Sequence, residues 1–412
     1  MPPFTNKRIL LGVTGSIAAF KAADLASKLT QAGAQVDVIL TAGAEKFVTP
    51  LTFQSVTGRR AYTDADLWGG EAHVLHVGLA HAAHLLVIAP CTANTLAKLA
   101  HGLSDNLLTV TALASRCPLV LAPAMDGGMF DSDATQANIK LLTERGATIL
   151  GPQEGHLASG QLGRGRMVEP AEILGHLRLV LARGGRLAGK KVVVSAGGTQ
   201  EPLDPVRVLT NRSSGKQGYA IAQSALDMGA DVTLVSAPTA LTPPVGARVV
   251  QVETARQMLE AVLAECVDCD ALIMSAAVAD FRPKLSAPSK MKKRDGIPQI
   301  QLEATEDVLE AVARLGRGKL ALSSVETKRP RAVVGFAAES RDLLANASEK
   351  LMSKKLNFIV ANDISAEDAG FSVETNRVTF LFADGKSEAL PLMSKGDVAD
   401  VIMQRVANIL ES

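Results

Sequence analysis

Short runs of apolar residues alternate with amphipathic stretches in both halves of this chain. That rhythm limits the possible folds more than any other feature. The first half reads RILLGV, then TGS, then an Ala-rich stretch that predicts a helix from about Ile17 to Gln31, ended by Gly33, then VDVIL. HLLVIAP and PLVLAP continue it. The second half reads KVVVSAGGT, DVTLVSAP, ARVVQVE, ALIMSAA, AVVGFAAE and NFIVAND, with helices between. Strands that are apolar throughout are buried on both faces, and helices between them imply parallel sheets covered on both sides. The expected class is α/β, with two doubly wound, mainly parallel-sheet domains. With 412 residues the chain exceeds one ordinary core. The pattern breaks at LARGGRLAGK, which reads as a linker. The expected domains are therefore 1–186 and 187–412.

In such sheets ligands sit beyond the carboxyl ends of the strands. The segments expected there are TGSIAAFK, LTAGA, APCTANTLAKLAHGLSDNL and APAMDGGMF, each rich in small or polar residues. In the second half TNRSSGKQGYA poses a sharper problem. It is not a Walker loop, because Thr210 stands where the first glycine belongs and Gln217 follows Lys216. Amides at a helix start still attract anions. Ser213, Ser214, Gly215 and Lys216 could supply hydroxyls, close backbone approach and charge. The alternative is an ordinary helix start, capped by Ser213 or Ser214 and running through Leu226.

Other features exclude more than they assign. Net charge is +1 and aromatics make up 3%, which argues against a bulk nucleic-acid or membrane surface. No apolar run is long enough for a membrane span, and the N-terminus runs directly into a strand with no signal peptide. Four cysteines are no disulfide framework in a chain of this size, and a reducing cytoplasm is the simplest compartment. The Cys266–Cys269 pair reads as local packing. His73, His76, His81 and His84 cluster without carboxylates or cysteines at ligand spacing, so metal is not the expected reading. The stretch from about Leu285 to Ile300, KLSAPSKMKKRDGIPQI, reads as a mobile basic flap or a solvated surface loop.

Taken in order, GSIAAFK, HVGLAHAAHLLVIAP, PAM, LGRGRM, GGTQEPLDPVR, NRSSGKQG, AAVADFRP, SKMKK, VGFAAE and KKLNFIVAND resemble one family from about Arg8 onward. It is the bacterial coenzyme A biosynthesis family in which phosphopantothenoylcysteine decarboxylase is fused to phosphopantothenate–cysteine ligase. The resemblance implies a flavodoxin-like flavoprotein domain followed by a Rossmann-like ligase domain. For the ligase it implies that CTP, with Mg²⁺, activates 4'-phosphopantothenate as an acyl-cytidylate, from which L-cysteine displaces CMP. Asn211 matches the asparagine that holds the acyl-cytidylate, Arg207 lies in the matching DPVR, and Lys290 matches the flap lysine. Ala276, Ala277, Asp280, Glu306, Asp307, Val308, Leu309, Phe336, Lys350 and Lys354 match substrate- or nucleotide-contacting positions. Lys350 and Lys354 would share one helix face.

For the first half the resemblance implies an FMN-dependent decarboxylase. FMN oxidises the substrate thiol, CO₂ leaves, and reduced flavin returns the hydride to give 4'-phosphopantetheine. Gly15, Ser16, Ile17, Thr41, Thr92, Ser104, Asp105 and Asn106 fall in matching FMN loops. His76 matches the catalytic histidine, and an imidazole suits proton removal from a thiol. His73, His81 and His84 do not match it. The resemblance also implies a homo-oligomer, up to twelve chains. Two residues depart from the pattern. Asp126 stands where an asparagine is usual, and an ionised carboxylate can only accept hydrogen bonds. Ser159 stands where a proton-donating cysteine is usual, and its hydroxyl is far less acidic than a thiol, which titrates near pH 8.5. The second expectation kept open is therefore an active ligase fused to a flavoprotein domain with altered decarboxylation or a regulatory role.

Overall fold

A computed structural model describes residues 3–68, 74–156, 160, 162–293, 296–315, 328–339, 343–363 and 373–412. Ser159 and His73 lie outside them. The chain forms two compact units, residues 1–181 and 182–412.

In the first unit six parallel strands form one sheet: β1 (Arg8–Val13), β2 (Gln35–Leu40), β3 (Ala61–Tyr62), β4 (Leu85–Cys91), β5 (Leu119–Pro123) and β6 (Thr148–Ile149). Their order is β3-β2-β1-β4-β5-β6. β3 is a two-residue edge; without it the order is the 2-1-3-4-5 of flavodoxin. Residues on both faces of β1 are buried: Ile9, Leu11 and Val13 pack with Leu25 and Leu29 on one side, and Leu10 packs with Leu86 and Leu107 on the other. The first helix is Ala19–Gln31, two residues shorter at its start than expected, because the Ala19 N–H closes a turn on the Ser16 carbonyl. Gly33 follows it at φ 93°. An antiparallel ribbon of β7 (Gln153–His156) and β8 (Leu162–Arg166) stands outside the sheet.

The second unit holds an eight-stranded sheet. Its parallel strands are β9 (Lys191–Ala196), β12 (Asp231–Ser236), β13 (Arg248–Gln251), β14 (Ala271–Met274), β17 (Ala332–Glu339) and β18 (Phe358–Asp363). Two antiparallel strands, β20 (Val378–Phe382) and β21 (Ser387–Ala389), extend it to the order β13-β12-β9-β14-β17-β18-β20-β21. Three short ribbons flank it: β10 (Gln200–Pro202) with β11 (Val208–Thr210), β15 (Phe281–Pro283) with β16 (Leu302–Ala304), and β19 (Thr375–Asn376) with β22 (Met393–Ser394). Phe358, Phe380 and Phe382 form an aromatic cluster where the antiparallel addition meets β18.

The stretch read as a linker contains the boundary between the two units, and beyond that boundary it is packed: Leu187 is fully buried and its N–H donates to the Met228 carbonyl at 2.8 Å. A Cβ on Gly185 would lie 2.4 Å from that same oxygen, so close backbone approach explains the glycine. The helix after the serines is Lys216–Asp227, and its N-cap is Gly215 in the left-handed region at φ 76°. The N-cap position is thus held by a glycine and not by either serine. Ser213 instead accepts from the Gly215 N–H at 3.4 Å, shaping the turn before the helix. The Cys266–Cys269 pair behaves as expected: both are free, and Cys266 is buried beside Val262 and Leu272.

Candidate ligand sites in the two units

In the second unit strand order reverses between β9 and β14, which lie side by side and lead outward in opposite directions. The loops leaving these strands are knitted together. The Ala277 N–H donates to the Gly197 carbonyl at 2.8 Å, and the Ala279 N–H donates to Thr199 Oγ1 at 2.9 Å. Asn211 lies across this knot, its amide donating to the carbonyls of Val278 at 3.1 Å and Ala277 at 3.4 Å. A Cβ on Gly198 would meet the Asn211 carbonyl at 2.8 Å. The glycine therefore lets the TNRSSGKQG loop approach the sheet edge.

A cavity of about 580 Å³ opens at this edge. Ten of the thirteen expected substrate and nucleotide residues line it: Asn211, Ala276, Ala277, Asp280, Glu306, Asp307, Val308, Leu309, Phe336 and Lys350. Lys350 donates to the Phe336 carbonyl at 2.9 Å. Lys354 stands one residue past the helix Leu343–Ser353 and reaches Asp307 at 2.8 Å from behind the wall. Asp307 also caps the helix Val308–Ala313 by accepting from the Glu310 N–H. Burial pushes its carboxyl up, but Lys354 and that N–H outweigh burial and hold it below the usual range.

Arg207 and Lys290 do not line the cavity. Both belong to a different cluster. The basic stretch is the loop between β15 and β16, and Lys290 is exposed on it. The loop is fastened at Asp204, whose side chain is fully buried. This carboxylate accepts from the N–H groups of Val206 and Arg207 at 2.8 Å, from that of Met291 at 3.2 Å and from the Arg207 guanidinium at 3.0 Å. Burial opposes its charge, yet these donors hold its pKa below the usual carboxylate range. Arg207 adds a bond to the Met291 carbonyl at 3.1 Å. Of the two expected readings, the stretch has the exposed surface of a loop, and it is tied down next to Lys290 through Met291.

The first unit has its own switch point, between β1 and β4. Thr14 bridges it, donating to the Pro90 carbonyl at 2.8 Å and accepting from the Thr92 N–H at 3.1 Å. Gly15 and Gly43 bring the loops after β1 and β2 into contact; a Cβ on Gly15 would lie 2.9 Å from the Gly43 carbonyl carbon. Beside this edge a cavity of about 540 Å³ is lined by Ser16, Ile17, Phe20, Lys21, Met125, Asp126, His156 and Arg166, among others. Ile17 and Phe20 are 56% and 62% exposed, an apolar surface at the mouth of a polar cleft.

Of the expected flavin and catalytic residues, Ser16, Ile17 and Asp126 line this cavity. The others are placed differently. Thr41 accepts from the Ala44 N–H, holding the loop that carries Gly43. Thr92 caps the helix Ala93–His101 and Asn106 caps Leu107–Ala114. Asp105 pairs with Lys98 at 2.7 Å, and that ammonium lowers its pKa. Ser104 is exposed and His76 is half-buried on the helix Leu75–Ala82. Asp126 caps the helix Gly127–Asp131 by accepting from the Gly128 N–H at 3.0 Å. Asparagine caps equally well, so the departure at this position leaves the local fold intact. Sequence reasoning missed Lys21, Phe20, His156 and Arg166 here. It also missed Asn362, Asn376 and Lys395 in the second unit. Among the described residues no group of three or more His, Cys, Asp or Glu is arranged to hold a metal.

The described geometry defines a class: a two-unit α/β protein with a flavodoxin-ordered unit followed by a second, mainly parallel unit, each with a cavity at its switch point. Comparison with known proteins agrees. Residues 3–180 match the Flavoprotein family model, and residues 187–410 match that of the DNA/pantothenate metabolism flavoprotein C-terminal domain. The chain is 44% identical to the coenzyme A biosynthesis bifunctional protein CoaBC of Bacillus subtilis (strain 168), covering 98% of this chain and 97% of that one. It is 42% identical to that of Mycobacterium tuberculosis (strain ATCC 25618 / H37Rv), with 98% and 97% covered. A crystal structure of a CoaBC C-terminal domain is 41% identical with a TM-score of 0.45, covering 55% of this chain and 98% of that one. A PPC decarboxylase cysteine-to-serine mutant complexed with pantothenoylaminoethenethiol is 40% identical with a TM-score of 0.40, covering 42% and 97%. The chain belongs to the family of coenzyme A biosynthesis bifunctional proteins CoaBC, which combine decarboxylase and ligase activities.

Proposed function

We propose that the cavity in the second unit is where CTP and 4'-phosphopantothenate meet, and that cysteine completes the ligation there. The observation that carries this reading is convergence: ten expected residues from separate segments line one cavity at a switch point. The substrate carboxylate attacks the α-phosphorus of CTP, and pyrophosphate leaves. The cysteine amine then attacks the acyl carbon and CMP leaves. In both steps the protein's task is positioning and charge neutralisation. Asn211, its amide fixed by two carbonyls, presents its remaining oxygen and its loop to the intermediate. The helix start at Gly215–Gly218 lines the cavity, and in this reading it faces the phosphates. Lys290 and Arg207 act from the Asp204-anchored loop. In this reading Mg²⁺ accompanies the triphosphate of CTP.

The first unit's edge fits a flavin. Gly15 and Gly43 form a cradle that a side chain would fill, and Ile17 and Phe20 offer apolar surface to a ring system. Ser16, Ile17 and Thr92 would hold FMN, with Thr41, Asp105 and Asn106 framing their loops. The bound flavin supplies reversible oxidation of the substrate thiol carbon, which makes loss of CO₂ possible. His76 takes the thiol proton in this reading. Lys21 and Arg166, which both pair with Glu169, share this cavity with Asp126, and in this reading they turn to the substrate carboxylate in place of an asparagine amide. We also propose a cytoplasmic homo-oligomer, assembling up to twelve chains.

The test is to incubate the protein with CTP, Mg²⁺ and phosphopantothenate, leaving out cysteine. The reading predicts an enzyme-bound species with the mass of the acyl-cytidylate, discharged by added cysteine. Pyrophosphate formation that requires cysteine from the outset would refute the two-step route.

A further inference from the structure

We propose that Asp64 is a positioning residue of the flavin edge: its carboxylate ties the loop after β2 to the start of the helix Leu107–Ala114, so that the two segments meet the flavin in a fixed register. The inference rests on the flavin reading above. Asp64 is not among the residues expected from the sequence, and it is assigned no contact with the flavin itself.

The carboxylate is delivered by the part of the sheet that goes beyond the flavodoxin order. β3 pairs with β2 through Ala61 and Tyr62, so the turn after it emerges beside the loop after β2. That turn, Asp64–Asp66, is a single 3₁₀ turn with Thr63 as its N-cap. It is held locally. The Asp66 carboxylate accepts from the Thr63 N–H at 2.8 Å, closing the turn as in a capping box. Arg60 pairs with Asp66, and its guanidinium carbon lies 5.1 Å from the centre of the Tyr62 ring. Strand, cap and ion pair together fix the backbone from which Asp64 projects.

The two oxygens of Asp64 go to two different segments. Oδ2 accepts from the Ala42 N–H at 3.3 Å, and Oδ1 accepts from the Leu107 N–H at 3.0 Å. Ala42 stands between Thr41 and Gly43, in the loop whose Gly43 meets Gly15. Leu107 is the first residue of the helix that Asn106 caps, and it is fully buried. The first N–H groups of a helix have no partner within it. Asn106 takes that of Thr109 at 2.9 Å, and Asp64 takes that of Leu107. A carboxylate suits this place, because it sits at the positive end of the helix.

One side chain thus joins three of the four segments expected to hold FMN. Gly15 is held through Gly43, Thr41 through Ala42, and Asn106 through Leu107. A carboxylate has an acceptor for each N–H. An amide has one acceptor oxygen, and its NH₂ would face the second N–H. Asp64 is half-buried, and its bonds join loops rather than core strands. Its removal should therefore act on flavin binding more than on the stability of the unit.

The test compares wild type, Asp64→Ala and Asp64→Asn as full-length chains. Each is stripped of flavin and titrated with FMN by fluorescence, and thermal unfolding of the flavin-free chains is measured beside it. Loss of two hydrogen bonds to a charged acceptor predicts FMN affinity about 10- to 100-fold lower in Asp64→Ala. Asp64→Asn keeps one acceptor and is expected to fall between Asp64→Ala and wild type. The absorbance and circular dichroism of the bound flavin should change with affinity, while unfolding of the flavin-free chain and ligation stay as in wild type. Unchanged affinity and flavin spectra in Asp64→Ala overturn the assignment. A loss of affinity that merely follows a matching loss of flavin-free stability overturns it too, since that is a folding role. Should Asp64→Ala not fold, the near-isosteric Asp64→Asn decides by the same readings. Wild-type protein that takes up no FMN overturns the flavin reading itself.

Discussion

The two switch points differ in how directly their motifs become cavity wall. In the ligase unit Asn211, Ala276, Ala277, Asp280 and the 306–309 segment all face one cavity. In the flavoprotein unit Thr92 and Asn106 are helix caps, Asp105 is the partner of Lys98, and Thr41 braces a loop. Both sets come from equally recognisable segments. A motif residue can therefore hold a loop's shape rather than touch what the loop holds, and short polar residues after a strand are suited to both tasks.

Substitutions that separate touching from framing sharpen this contrast. The largest effect is expected from Asn211→Asp. A carboxylate cannot donate to the carbonyls of Ala277 and Val278, so ligation should fall on the order of 10²–10³-fold. Product formation by mass spectrometry measures it, and flavin content should be unchanged. A normal rate would mean that Asn211 is framing too.

Gly15→Ala is the counterpart in the other unit. Its Cβ would press on the Gly43 backbone at 2.9 Å, so the loops must part. Flavin retention, read by absorbance after dialysis, is expected to drop at least about 10-fold, as for lost orientation of a binding loop, while ligation persists. Gly218→Ala probes packing at the cavity wall. Its Cβ would lie 2.6 Å from the Ala196 Cβ and 2.8 Å from the Ser195 carbonyl. Destabilisation of about 1–3 kcal/mol is expected in denaturant unfolding.

Asp204 gives a pH test. Its folded pKa is lowered, so its contribution is present above the usual carboxylate range and is lost as pH falls through the folded value. Limited proteolysis of the Lys284–Gln301 loop should accelerate only on the acid side, and Asp204→Asn should accelerate it already at neutral pH. Acid-independent cleavage in wild type would remove Asp204 as the anchor. The smallest effect is expected for Asp105→Asn, because its ion pair is largely exposed. Stability should move by no more than about 0.5 kcal/mol. A large loss of flavin would instead make Asp105 a contact.

The sheets were legible in the sequence because strands buried on both faces are written as unbroken apolar runs. HLLVIAP and NFIVAND appear almost residue for residue as β4 and β18. The antiparallel pair β20–β21 was not read, because VTFLF and SEA are short and lie beyond the strand–helix rhythm. The helix start at Lys216 was misread because serine is the commoner cap, whereas the left-handed backbone at Gly215, φ 76°, favours glycine there. Lys395 was hidden for the opposite reason. MSKGD is an ordinary capped helix start in sequence, and only packing against the helix Lys216–Asp227 buries the lysine beside a ligand cavity. Arg166 stood within the LGRGRM motif, but what it faces is decided by the β7–β8 ribbon.

In the proposed reading both units are active, the first despite Asp126 and Ser159. The most direct measurement gives the purified, flavin-loaded protein phosphopantothenate, cysteine, CTP and Mg²⁺ and identifies the products by mass. The predicted main product is 4'-phosphopantetheine, with CO₂, CMP and pyrophosphate. Accumulation of phosphopantothenoylcysteine, or of a species two hydrogens short of phosphopantetheine, would contradict the claim for the first unit while leaving the ligase cavity standing.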